Sequence, residues 1–94
     1  VDGSIIGPYD LSASLGIPGQ FSRPEAVEAL DRYEKICDQM GKPKGYHIVN
    51  PDETPVVSYI NKGYSFLAVG VDFLYLGVKC RQTLSTIAAD CKRV

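Results

Sequence analysis

The chain has 94 residues, of which 45% are hydrophobic and 22% charged, so it folds as one domain and is too short for two hydrophobic cores. Ten basic against eleven acidic residues leave a formal charge of -1, which offers no electrostatic footprint for nucleic acid or an anionic membrane. Three cysteines without CxxC or Cys/His ligand spacing, and no apolar run of the ~18–20 residues that span a membrane, predict a cytoplasmic protein.

The first predicted elements are a short strand and a long loop. Ser4–Ile6 is an apolar run that ends at Gly7-Pro8, because proline cannot donate to a strand ladder. The loop that follows covers thirteen residues, 11–23, and is rich in Ser, Gly and Pro. Connections from strand to helix are usually about 2–6 residues long, so a loop of this length is expected to carry function.

A helix is predicted next. Ser22-Arg23-Pro24-Glu25 is typical of a capping box, in which Ser22 accepts a hydrogen bond from the Glu25 amide. Gly41, with Pro43 behind it, ends the helix. Apolar spacings of three and four predict one buried stripe, formed by Val27, Leu30, Tyr33 or Glu34, Cys37 and Met40.

Two further strand and helix pairs complete the chain. A second strand is predicted over 45–49, followed by a helix that Asp52 caps and that runs to about Asn61. The run 64–71 is nearly continuous apolar sequence, as in a strand covered on both faces. The last predicted helix runs from Phe73 to about Lys92. One face of it forms an apolar seam: Phe73, Gly77, Cys80, Leu84, Ile87 and Cys91, with both cysteines expected to be buried.

The pattern as a whole predicts an α/β fold of three βα units with a parallel sheet. A three-stranded parallel sheet has two unpaired edges, although these strands have the composition of interior ones. The first residue is Val1 and not methionine. We therefore expect residues 1–94 to be a portion of a longer domain, or to associate with other copies.

Asp10 is the first candidate for chemistry. It follows directly on the first strand, and parallel α/β proteins place their ligand sites at the carboxyl ends of strands. A carboxylate there suits a hard divalent cation such as Mg²⁺ or Mn²⁺. The structural alternative is an Asx-turn in which Asp10 only caps the loop.

The residues around Asp10 carry a family resemblance. GPYDLSASLGIPGQF at 7–21, Gly45-Tyr46-His47-Ile48-Val49, and Ala68-Val69-Gly70-Val71-Asp72 resemble the HpcH/HpaI family of 2-keto-acid aldolases, in order and with the family's spacing. These enzymes are metal-dependent lyases built on a (β/α)8 TIM barrel. The resemblance implies that the chain corresponds to strands six to eight of that barrel, an incomplete barrel on its own.

The resemblance also implies roles for three residues. Asp10 matches the family's metal-binding aspartate, and Tyr9 matches the residue whose backbone amide binds the carboxylate of the pyruvate-type keto acid. His47 matches a position at the aldehyde end of the site. The implied reaction is reversible cleavage of a 4-hydroxy-2-keto acid to pyruvate and an aldehyde, with Mg²⁺ or Mn²⁺ stabilising the enolate.

No residue of the chain matches the family's metal-binding glutamate, catalytic histidine or arginine. One carboxylate cannot both hold Mg²⁺ and direct proton transfer, so we expect these 94 residues alone to be inactive.

Simpler roles compete with the implied ones. His47 could be a packed strand residue, or pair with Asp10 in a weak two-ligand metal site. Asp72, also at the expected active edge, is suited to capping the last helix. The alternative to an enzyme is a binding or assembly module that associates through its sheet edges and last helix. Members of the wider superfamily exchange their eighth helix, which implies a homo-oligomer in the enzyme as well.

Overall fold

A computed structural model of the chain describes residues 1–91. It contains four helices and two strands within those residues. The helices are α1 (Pro8–Ser14), α2 (Pro24–Met40), α3 (Glu53–Asn61) and α4 (Asp72–Asp90), and the strands are β1 (Gly45–Ile48) and β2 (Phe66–Val69).

The sheet is parallel, as predicted. β1 and β2 pair in register from Gly45 opposite Phe66 to Ile48 opposite Val69. The predicted strand 4–6 is reduced to a single bridge between Ile6 and Tyr46. The Ile6 amide donates to the Gly45 carbonyl at 2.9 Å, and the next bond returns from the His47 amide to Ile6. Because Gly7-Pro8 ends the run at once, too few residues remain for a full strand.

The prediction of a loop over 11–23 is wrong for residues 11–14, because they belong to α1. Pro8 fits the first helical turn, where its missing N–H costs nothing, and Gly7 precedes it in an extended conformation. Ser12 is buried and ties the rest of the loop back onto α1: its hydroxyl donates to the Tyr9 carbonyl at 3.1 Å and accepts from the Gly19 amide at 3.0 Å. Only the segment 15–23 is irregular.

Helix α2 ends as predicted but begins differently. Gly41 closes it in the left-handed conformation, with φ of 64°. The capping box is wrong, because Arg23 occupies the cap position and no side chain caps the helix. The buried stripe begins one residue earlier than predicted, at Ala26, so that Val27 and Met40 are 46% and 64% exposed.

A cluster of three tyrosines joins α3 to the sheet. The rings of Tyr46 and Tyr59 stack with centroids 4.2 Å apart, and Tyr64 packs edge-on against both. The Tyr64 hydroxyl donates to a Glu34 oxygen at 2.8 Å. Burial raises the pKa of Tyr46 and of Tyr64 above the ordinary value, and their hydrogen bonds raise it further. These hydroxyls therefore remain protonated donors.

The amino end of β1 is fixed by two side chains. The Lys44 ammonium is buried, pairs with Asp38 at 2.9 Å and donates to the Lys62 carbonyl at 3.1 Å. The Tyr33 hydroxyl accepts from the Gly45 amide at 3.0 Å and lies 3.2 Å from the Ser4 carbonyl. The backbone of Ser4 and Ile5 passes so close that a Cβ on Gly45 would collide with the Ser4 carbonyl oxygen. The first residues are thereby held against β1.

The third predicted strand is shorter and less covered than expected. β2 spans Phe66–Val69 instead of 64–71, and Phe66 and Val69 are 56% and 38% exposed. The strand is therefore not covered on both faces by the described residues. Tyr64, just before it, is buried as predicted.

Helix α4 begins one residue before the predicted Phe73, and the predicted end at Lys92 lies outside the described residues. Asp72 lies in the first turn and not at the cap; its carboxylate accepts from the Phe73 amide at 2.8 Å. The apolar seam is uncovered, with Leu84 63% exposed, and the expected burial of Cys80 is wrong. Cys91 is half-buried. Within residues 1–91, no helix combines the length and apolarity needed to cross a membrane.

Candidate functional site

The predicted site residues lie at the carboxyl end of the sheet. Ile6 leads into Tyr9 and Asp10 in the first turn of α1, and β1 carries His47 near its own carboxyl end. Because the three extended segments run parallel, these carboxyl ends meet at one edge.

Asp10 is exposed and leaves its carboxylate open. The side chain turns back toward Gly7, where an added Cβ would lie 3.1 Å from Oδ2. Within the described chain, no hydrogen bond or ion pair engages that carboxylate, so the Asx-turn alternative is not what this geometry shows. The first intrahelical bond of α1 runs from the Leu11 amide to Gly7 at 2.9 Å, which leaves the amides of Tyr9 and Asp10 without backbone acceptors. Two N–H donors and a carboxylate thus share one turn.

His47 is half-buried and fastens β1 to the turn after β2. Its Nε2 lies 2.9 Å from the Gly70 carbonyl oxygen. A carbonyl can only accept, so this bond requires the proton on Nε2. The amide of Gly70 in turn donates to the Ile48 carbonyl at 2.7 Å. Gly70 has φ of 74°, a conformation that favours glycine.

Tyr9 and His47 come together in a cleft of about 200 Å³ beside the carboxyl end of β1. We call it the aromatic cleft, after the rings in its wall. These belong to Tyr9, Phe21, Tyr46, His47 and Tyr59, and Asp52 also lines the cleft. Tyr9 meets Phe21 edge to face, with ring centroids 5.0 Å apart. Asp10 is not part of this wall. The structure therefore brings Tyr9 and His47 together in the cleft, and Asp10 lies outside it, next to Tyr9 in the chain.

Sequence reasoning missed most of the aromatic cleft. Tyr46 and Tyr59 line the cleft and stack on each other, but the sequence predicts no role for either. The contribution of Phe21 depends on how the loop 15–23 folds back, which no local pattern encodes.

Asp10 fits a divalent cation as a single ligand. Its oxygens are hard donors that are open to solvent, which is the kind of group that Mg²⁺ and Mn²⁺ prefer. Among residues 1–91 there is no group of three His, Cys, Asp or Glu side chains that could hold a metal ion. Asp10 therefore supplies at most part of a coordination sphere.

The chain is similar in sequence to known aldolases. The chain is 49% identical over 76 residues to a pyruvate aldolase of Rhizobium etli, covering 81% of the chain and 29% of that enzyme. It is 40% identical over 72 residues to a 5-keto-4-deoxy-D-glucarate aldolase of Klebsiella pneumoniae, covering 77% of the chain and 27% of that enzyme. No protein-family model matches the chain.

The fold matches as well. An HpcH/HpaI aldolase/citrate lyase family protein from Burkholderia cenocepacia superimposes with a TM-score of 0.84 at 31% identity, over 94% of this chain and 34% of that one. The chain spans about a third of the length of the relatives it matches. Sequence and fold together show that this chain belongs to the HpcH/HpaI aldolase family and corresponds to its C-terminal part.

Proposed function

We propose that the chain is the C-terminal part of a divalent-metal-dependent aldolase. The reaction is the reversible cleavage of a 4-hydroxy-2-keto acid to pyruvate and an aldehyde. The observation that supports this most strongly is the 49% identity with a pyruvate aldolase. The open carboxylate and open amides at the start of α1 supply suitable chemistry.

Each predicted site residue has a role in this proposal. Asp10 holds Mg²⁺ or Mn²⁺ through its carboxylate. The Tyr9 amide, which has no backbone acceptor among residues 1–91, donates to the carboxylate of the keto acid. His47 contacts the aldehyde portion through its ring, while Nε2 stays bound to Gly70. When bound, the metal ion supplies Lewis-acid polarisation of the keto group.

The chemistry requires groups beyond these. Cleavage breaks the bond between C3 and C4, removes the proton of the C4 hydroxyl as the aldehyde forms, and returns a proton to C3 to give pyruvate. We propose that a second metal-binding carboxylate, a histidine and an arginine outside these 94 residues direct those steps. In this view residues 1–94 form strands six to eight of a barrel and are inactive alone.

The test is a cleavage assay on the full-length protein, in which pyruvate release is coupled to a dehydrogenase. We expect release with Mg²⁺ or Mn²⁺, loss of activity with a chelator and recovery when the metal is restored, because the enolate is not otherwise stabilised. Full activity after chelation would contradict the metal dependence. Absence of cleavage over a panel of hydroxy keto acids would contradict the aldolase.

We also propose that the enzyme is a cytoplasmic homo-oligomer in which α4 contacts a second copy. The cytoplasmic location is supported by an odd number of cysteines without metal-ligand spacing. Self-association is supported by the apolar seam, since Phe73 and Leu84 are 67% and 63% exposed on the same helix face.

A charge on the seam should weaken this association. Leu84→Glu is expected to shift the full-length protein toward smaller species in sedimentation velocity, because a carboxylate is costly to bury. Gln82→Glu adds the same charge half a turn away, on the opposite face of α4, and should leave the distribution unchanged. Equal sedimentation of both variants and the parent would contradict the proposal.

A further inference from the structure

The charged groups in the wall of the aromatic cleft do not suit a negatively charged ligand. Its described wall contains no lysine or arginine side chain. The one carboxylate on it belongs to Asp52, and the bond that this group accepts from the Thr54 amide, at 3.0 Å, holds it in place at the start of α3. An anion in the cleft would meet a fixed like charge and no cation.

The shape of the cleft favours a ring. Tyr46 and Tyr59 are nearly parallel, with 18° between their planes, and Tyr9 and Phe21 meet at 81° nearby. Because Tyr46 and Tyr59 stack on each other, a further ring would meet these aromatic side chains mainly by edge contacts. A cavity of about 150 Å³ can hold a benzene-sized molecule. The cleft, at about 200 Å³, therefore has room for one ring.

We infer that the aromatic cleft takes the aldehyde partner and selects a neutral aldehyde with a ring over an anionic one. This inference rests on the proposed aldolase function, because Tyr9 links the cleft to the turn that carries Asp10. Selection comes from the aromatic side chains of the wall, which attract the ring, and from Asp52, which repels a carboxylate.

The first test measures aldol addition of pyruvate to two aldehydes by the full-length enzyme. Para-nitrobenzaldehyde and para-carboxybenzaldehyde have nearly the same shape and differ by one charge. Asp52→Asn keeps a side-chain oxygen that can cap α3 but removes the charge. We expect this variant to raise kcat/KM for the carboxylated aldehyde about threefold to fivefold relative to the nitro compound, as removal of one partly screened charge should.

Asp31→Asn is the matched control. It removes the same charge from the exposed face of α2, away from the cleft, and should leave the ratio of the two kcat/KM values unchanged. An unchanged ratio in Asp52→Asn, or a parent enzyme that favours the carboxylated aldehyde, would overturn the inference while the aldolase function stands.

The second test does not need turnover. Benzyl alcohol and benzoate are titrated into full-length protein with isotope-labelled tyrosine rings, and the ring signals are followed by NMR. We expect benzyl alcohol to shift the Tyr46 and Tyr59 signals at lower concentration than benzoate, with the gap narrowing in Asp52→Asn. Equal or stronger binding of benzoate, or no shift with either, would overturn the inference. If benzyl alcohol binds as expected but no aldehyde reacts, the proposed function fails and the neutral-ring site remains.

Discussion

Asp10→Asn in the full-length enzyme is expected to lower kcat/KM for aldol cleavage by about a hundredfold to ten-thousandfold, the range corresponding to several kcal/mol of lost metal-assisted stabilisation. Asparagine keeps the shape of the side chain but loses the negative charge that holds a divalent cation. Because Asp10 is exposed and engages no described side chain, folding should not change. Mn²⁺ binding, measured by electron paramagnetic resonance, should weaken in parallel.

Asp2→Asn serves as the comparison, since it removes an exposed carboxylate from the first residues and should change neither quantity. The metal-ligand role of Asp10 would be wrong if Asp10→Asn bound Mn²⁺ as the parent does and kept its cleavage rate. A fall in rate without a change in Mn²⁺ binding would move Asp10 from the metal to substrate positioning.

Gly45→Ala should lower the stability of the fold. A Cβ at this position would collide with the Ser4 carbonyl oxygen and lie 3.0 Å from Cα and Cβ of Ile5. The obstacle is mostly backbone, so it cannot swing aside as a side chain end would. Relief requires moving residues 4–6 and loosening the bridge at Ile6. We expect the free energy of unfolding to fall by about 1–3 kcal/mol, as measured by denaturant titration.

Gly3→Ala provides the control for Gly45→Ala. Its added Cβ would rest 3.6 Å from the Pro43 side chain, which is an ordinary contact, so its effect should stay within about 0.5 kcal/mol. Both changes restrict the unfolded chain equally, and the difference between them isolates the collision. Matching stabilities for the two variants would show that residues 4–6 do not lie against β1 as described.

The elements with strong local signals were predictable. Gly41 ended α2 and Asp52 capped α3 because these residue types act within one helical turn. β1 and β2 followed from short apolar runs. The resemblance around Asp10 depends on residue order alone, so the sequence was enough to indicate the family.

The failures share a physical cause, which is tertiary context. α1 is only seven residues long and lies next to a loop rich in Ser, Gly and Pro, so the local pattern favours an irregular segment. The bond between the Gly19 amide and Ser12, which holds that loop against α1, is a tertiary contact that the pattern does not contain. Residues Val27 and Met40 fit the apolar period but face solvent, because the position of α2 against the sheet is set by Ala26 and Cys37. The aromatic cleft brings together residues from α1, β1 and α3, and a linear pattern does not contain that proximity.

The buried ammonium of Lys44 is paired at the amino end of the sheet. It lies where the carbonyl-bearing ends of two helices approach, at Asp38 in the last turn of α2 and at the Lys62 carbonyl just after α3. Both helix ends carry partial negative charge, so the cation is neutralised without facing water. At the opposite end, the first turn of α1 presents N–H groups and partial positive charge. The charges at one end of the sheet are thus paired within the chain, whereas at the other end the backbone amides of Tyr9 and Asp10 and the Asp10 carboxylate stay open.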